Sequence, residues 1–163
     1  MKLKQSLAAL IVTGLITTSP ANLAADLSLN VGGGFLLDIS NRIHGENQPF
    51  FNFYYNKEKS DIYTLNSEKA DYVSYGIGAN YNVSVVNNLD MFAGVGIGFA
   101  QHTSSNYKSD ETNSGLTYQI GATLKLTDNV AVNARYLNRP ENGLSGLEQD
   151  GGSAASAGVS FLF

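Results

Sequence analysis

Between residues 89 and 101 apolar and small side chains alternate one by one. Leu89, Met91, Ala93, Val95, Ile97 and Phe99 oppose Asp90, Phe92, Gly94, Gly96, Gly98 and Ala100. Successive side chains of a β-strand point to opposite faces, so a period of two marks a strand with two unlike faces. Segment 71–85 reads the same way, with Val73, Tyr75, Ile77, Ala79, Tyr81 and Val83 against Ser74, Gly76, Gly78, Asn80, Asn82 and Ser84. The pattern recurs at 116–126 and 130–138, and again at 153–163, where Phe163, Phe161 and Val159 oppose Leu162, Ser160 and Gly158. Nearer the N-terminus, strands are predicted at 26–32, 35–44 and 48–57, the first two separated by a glycine run able to reverse the chain tightly. The total is eight.

The connections sort into two kinds. Those after the second, fourth and sixth strands are short. Those at 57–70, 102–114 and 139–152 are long and polar. Short turns at one end and long loops at the other is the plan of a transmembrane barrel whose turns lie in the periplasm. Reading 26–40 as one strand would leave seven and put the two ends on opposite sides, so eight is preferred. The predicted fold is an all-β, antiparallel, up-and-down transmembrane β-barrel of eight strands.

Alternation alone also fits a soluble sheet. What separates the two is the less apolar face, which in a soluble protein meets water and carries many charges. Here it carries Gly, Ser, Asn and Ala, the residues a narrow eight-strand interior has room for. The apolar face is then the lipid face, with Tyr55, Tyr75, Phe99, Tyr118 and Tyr136 toward one rim and Tyr81 and Phe163 toward the other, as interfacial belts require. On this assignment Ile97→Lys is expected to be costly and Gly96→Ser nearly silent if the hydroxymethyl group fits. Asp38, Arg42, Lys125 and Arg135 point inward by parity. Unpaired charge in a dry lumen is costly. They are therefore expected to form an ion-pair and hydrogen-bond network with Asn80, Gln119 and Asn133 that plugs the lumen instead of conducting.

Composition narrows the class. Charged residues make up 15% of the chain, against about 25% in ordinary soluble domains. Residues 1–25 read as an export signal: Lys2 and Lys4, an apolar run over 7–16, then small residues up to a cleavage site between Ala25 and Asp26. The run is too short to cross a bilayer as a helix. The barrel domain is then 26–163. Its loss of two lysines makes it more acidic than the whole chain's net charge of −4, which argues against nucleic acid as a partner. There is no cysteine, hence no disulfide and no thiolate chemistry. The two histidines, His44 and His102, are far apart in sequence, and neither a metal site nor a cofactor is expected. GVGIG lies inside a strand and is not a nucleotide-binding loop.

Five stretches carry a resemblance. YGIGANYNV, LDMFAGVGIGFAQ and GLTYQIGATLKLTDNVAVNARY, with AGVSFLF at the end, resemble the OmpX/Ail family of small outer-membrane barrels. LSLNVGGGFLLDISNRI resembles the YfaZ-type small barrels. The end of the chain also resembles the assembly signal of bacterial outer-membrane barrels, carried by Ser156, Gly158, Phe161 and Phe163. The resemblance implies a monomer in the bacterial outer membrane, inserted by the barrel-assembly machinery and surrounded by outer-membrane lipid and lipopolysaccharide. It implies no catalytic residues. The expected role is non-enzymatic, structural or surface-interacting, through the loops at 57–70, 102–114 and 139–152. Two alternatives stand beside it. His102 and Ser104, with Asp110 and Glu111 nearby, loosely resemble the His-x-Ser of lipid A deacylases, which would make the chain a lipid A-modifying enzyme. The other is a soluble periplasmic β protein.

Overall fold

The computed structural model of the protein describes residues 26–32, 34–61, 69–103, 112–140 and 152–163. The predicted signal, up to and including Ala25, lies outside them. Eight strands follow in chain order: β1 (Asp26–Val31), β2 (Phe35–Ser40), β3 (Gln48–Asp61), β4 (Lys69–Val86), β5 (Leu89–Thr103), β6 (Asn113–Lys125), β7 (Val130–Asn138) and β8 (Ser153–Leu162). Each pairs antiparallel with its neighbours in sequence. β8 pairs back onto β1, from Asp26 opposite Leu162 to Val31 opposite Ala157, and the sheet closes as a barrel. The first hairpin is real: Gly32 and Gly34 take φ of 108° and 96°, which only glycine adopts freely, and Val31 faces Phe35 across the turn. The count is eight and both chain ends of the barrel lie at one rim.

Two boundaries differ from the sequence reading. β2 ends at Ser40 instead of 44. Residues 41–47 leave the ladder, with Asn41 held at Phe51 through backbone and side chain, so that Arg42 and His44 reach inward to carboxylates on β1 and β5. β3 and β4 are longer than predicted. Their pairing continues from Lys57 opposite Val73 up to Asp61 opposite Lys69. The polar composition of 57–61 hides this ladder from a periodicity argument, because above the lipid both faces meet water. Lys57 and Asp71 form an ion pair at 2.8 Å there. β5 and β6 likewise each run two residues into the predicted loop at 102–114.

The sheet is inside out. Leu116 is 80% exposed, Val31 70% and Phe51 68%, whereas Tyr54 and Asp38, on the other face, are 1% exposed. Parity assigned from sequence holds on all eight strands. Inward glycines on β4 and β5 make the seat of an aromatic ring. A Cβ on Gly76 would lie 2.7 Å from Tyr54 Cε1, and one on Gly98 2.3 Å from the Tyr54 hydroxyl. Gly121 stands in the same relation to Phe92.

Packing overturns one expectation. A Cβ on Gly96 would sit 2.2 Å from the carbonyl oxygen of Ile77 and 2.8 Å from Gly78 Cα, both backbone atoms that cannot rotate away. Gly96→Ser is therefore not silent. It should destabilise the barrel by about 1–3 kcal/mol through overpacking, read as a lower urea midpoint in lipid vesicles. An unchanged midpoint would show that the β4–β5 wall yields.

Candidate functional site

The described inward side chains form three stacked layers. At the short-turn rim, Arg42 pairs with Asp26 and stacks over Phe92 at 4.9 Å and Phe50 at 5.5 Å. The two rings meet edge to face at 5.9 Å. His44 lies between two acids: its Nδ1 is 2.9 Å from Asp90 and its Nε2 is 3.2 Å from Asp26. The Ser28 hydroxyl donates to Asp26, and Ser28 and Ser160 share a bond of 2.7 Å.

The middle layer centres on Asp38 and Arg135, paired at 2.7 Å, with side-chain exposures of 2% and 4%. Asn52 donates to the same Asp38 oxygen. Asn80 and Gln119 donate in turn to the Asn52 carbonyl, at 2.8 Å and 3.0 Å. The face of Phe92 lies 5.3 Å from the Arg135 guanidinium, a cation–π contact that adds to the ion pair.

Toward the long-loop rim, Arg139 donates to Glu58 at 3.0 Å and to Asn56, and stacks on Tyr72 at 4.8 Å. The Tyr72 hydroxyl donates to the Pro140 carbonyl at 2.8 Å. The first two residues of the segment at 139–152 therefore fold inward as a stopper across the mouth.

The predicted lumen residues sort unevenly. Asp38 and Arg135 meet in the middle layer, with Asn80 and Gln119 beside them. Arg42 is buried but belongs to the rim layer with Asp26. Asn133 donates to Ser160 at 2.9 Å. Lys125 is half-buried at the short-turn rim, and its side chain makes no ion pair or hydrogen bond among the described residues. Asp26, His44, Glu58, Asp90 and Arg139 also belong to the network. Asp26 and Asp90 carry the inward parity of their strands, which was signal enough. His44 ends the predicted strand 35–44 at an inward position, whereas Glu58 and Arg139 fall in segments read as loops, where parity is silent.

This arrangement fills space and pairs each of its three arginines with an acid. A water-filled channel would leave its lining accessible to water, yet Asn82, Asp38, Tyr54 and Ser74, at successive depths, are 0–1% exposed. Ser156 and Gly158 of the predicted assembly signal face inward, while Phe161 and Phe163 lie exposed on the outer surface. The backbone register places His102 opposite Tyr72, an inward position. Ser104, Asp110 and Glu111 lie outside the described residues.

Comparison with known proteins agrees. The family model described as an outer membrane protein beta-barrel domain matches residues 11–163. Neisserial surface protein A has a similar structure, with a TM-score of 0.58 at 21% identity, covering 86% of this chain and 94% of that one. The outer membrane protein Ail of Yersinia pestis in a phospholipid nanodisc gives 0.53 at 15% identity, covering 86% and 99%. The N-terminal β-barrel domain of Pseudomonas aeruginosa OprF gives 0.50 at 14% identity, covering 86% and 96%. These likenesses are of fold. No curated protein matches the sequence. A family match over nearly the whole chain, on a closed barrel with an apolar exterior, makes this protein a member of the outer membrane protein β-barrel domain family.

Proposed function

We propose that the protein is a non-enzymatic, monomeric component of the bacterial outer membrane that acts through its long connections as a structural or surface-interaction protein. The observation that carries this reading is the filled lumen. With Asp38–Arg135 at its centre and Arg139 stacked over Tyr72 near the mouth, the interior formed by the described residues offers a substrate no room and a solute no path. The outer wall is apolar and belongs against lipid, including lipopolysaccharide. That leaves the segments at 57–70, 102–114 and 139–152 as the surfaces free to meet a partner. On this reading residues 1–25 direct export with cleavage at Ala25–Asp26. The barrel-assembly machinery then recognises Ser156, Gly158, Phe161 and Phe163. The lipid A deacylase alternative needs His102 and Ser104 directed at lipid, and an inward register position for His102 disfavours it.

Two measurements test the proposal. Lipid A from cells with and without the protein should have the same acyl pattern by mass spectrometry, and loss of one acyl chain would establish an enzyme. An epitope inserted within 104–112 should be reached by antibody on intact cells, whereas one within 126–129 should be reached only after the envelope is permeabilised. The opposite labelling would invert the barrel and remove the long connections from the cell surface.

A further inference from the structure

We propose that a groove on the outer wall beside β3, at the long-loop rim, binds the phosphate group of an outer-leaflet glycolipid, with Lys57 and Lys59 as its cations. The groove arises from unequal strand lengths. β1 and β2 turn between Val31 and Phe35, and Phe35 stands opposite Lys57. β3 and β4 pair on past that point, to Asp61 opposite Lys69. β3 therefore rises as a wall above the first hairpin. The hairpin is pressed against the foot of that wall: a Cβ on Gly34 would collide with the Lys57 carbonyl oxygen and with Glu58. What remains is an open groove of about 540 Å³, with Phe35 and Tyr55 on its apolar side and Lys57, Lys59 and Asp71 on its polar side.

Its depth in the membrane follows from the register. Tyr55, Tyr75 and Phe99 stand side by side across β3, β4 and β5, a row of rings suited to the interface between acyl chains and headgroups. Lys57 is one outward step beyond Tyr55, about 7 Å further along the strand, and Lys59 one step beyond that. Both lysines are thus at headgroup level, and Phe35 and Tyr55 border the hydrocarbon.

Charge selects the ligand. Among the described side chains, the outward face of the eight strands carries three charged groups, and all three line this groove. Lys57 is paired with Asp71 at 2.8 Å. Glu58, at the inner edge, is paired with Arg139 at 3.0 Å. Each acid has its cation, whereas Lys59 makes no ion pair among the described residues. Asp61 and Lys69, opposite one another one step further out, add one formal charge of each sign. The groove is left with a surplus cation beside two apolar rings. A phosphate monoester brings more than one negative charge and three acceptor oxygens, and an ammonium group has three N–H donors to give it. The acyl chains of the same lipid then continue down past Phe35 and Tyr55. A soluble polyanion would satisfy the lysine and leave those rings without an apolar partner. The proposal rests on the long connections lying at the cell surface, where this rim meets the outer leaflet.

The test is native mass spectrometry of the refolded full chain in micelles titrated with bis-phosphorylated lipid A, reading the fraction of protein that retains one lipid. Lys59→Gln should weaken binding about fivefold, the worth of one basic residue at an anionic lipid surface. Removing the phosphates from the lipid forfeits both lysines and should weaken it about twenty-fivefold. Asp71→Asn frees Lys57 and should tighten it about fivefold. Lys125→Gln, the same change of charge at the opposite rim, should leave it unchanged, and an excess of inorganic phosphate should not displace the lipid. Folding of each variant is checked by heat-modifiable gel migration. Equal binding of the dephosphorylated lipid, equal effects of Lys59→Gln and Lys125→Gln, weaker binding by Asp71→Asn, or displacement by inorganic phosphate would each overturn the site. The micelle assay does not depend on orientation, so such a failure would leave the cell-surface reading to the epitope labels.

Discussion

Replacing Asp38 with Leu should destabilise the barrel by about 3–5 kcal/mol, because it leaves the Arg135 charge buried without a partner. Arg135 reaches Asp38 at 2.7 Å, and both side chains are at most 4% exposed. Water does not screen this pair. Asn52 loses its carboxylate acceptor in the same variant, and Asn80 and Gln119 both donate to Asn52, so the loss spreads through the layer. The double variant Asp38→Leu/Arg135→Met removes both charges and should recover most of the loss, since swapping a buried ion pair for apolar side chains is often neutral. The chain has no Trp, so urea unfolding in vesicles is best followed by the β signal in circular dichroism. A loss below about 1 kcal/mol, the size of an exposed pair, would mean the lumen is wet.

That layer shows how far the sequence could be read. Asp38 and Arg135 lie 97 residues apart, and nothing in their separation links them. Parity nevertheless put both inside, and the cost of unpaired buried charge required partners. The partners themselves depend on register, which periodicity does not supply. Arg42 was expected beside Asp38 and instead turns to Asp26, because the chain leaves β2 at Ser40 and the connection folds over the rim. Lys125 was counted with the network on parity alone, yet it stands close enough to the rim to stay half-buried and outside the ion pairs. His44 closes the predicted strand 35–44 at an inward position, but its partners on β1 and β5 follow from how the 41–47 connection folds. The glycines misled differently. A serine at Gly96 was expected to be nearly silent if it fitted, whereas backbone atoms of Ile77 and Gly78 already occupy that space. What was legible is the face each strand residue takes. What was hidden is which inward residues meet, since that follows from the stagger of eight strands around a closed wall.

Ile97→Lys should cost about 2–4 kcal/mol, the penalty for a lysine near the middle of the bilayer on the lipid face of a barrel. Ile97 is 53% exposed and is flanked by Ile77 on β4 and Leu116 on β6. Neither of those two direct cross-strand partners offers a lysine a carboxylate or a polar group. The stacked pair of Tyr75 and Phe99, with ring centroids 5.5 Å apart, lies one step further toward the long-loop rim, where an interfacial belt belongs. Leu126→Lys makes the control. Leu126 is 59% exposed, as much as Ile97, but sits at the short turn after β6, where the same charge costs only about 0–1 kcal/mol. Exposure being similar, the decisive difference between the two sites is depth in the membrane, and without surrounding lipid neither lysine would meet a desolvation cost. The two urea midpoints in vesicles should differ by the gap between these costs. Equal midpoints would mean that no hydrocarbon surrounds Ile97, and the apolar exterior would then need a protein partner to cover it.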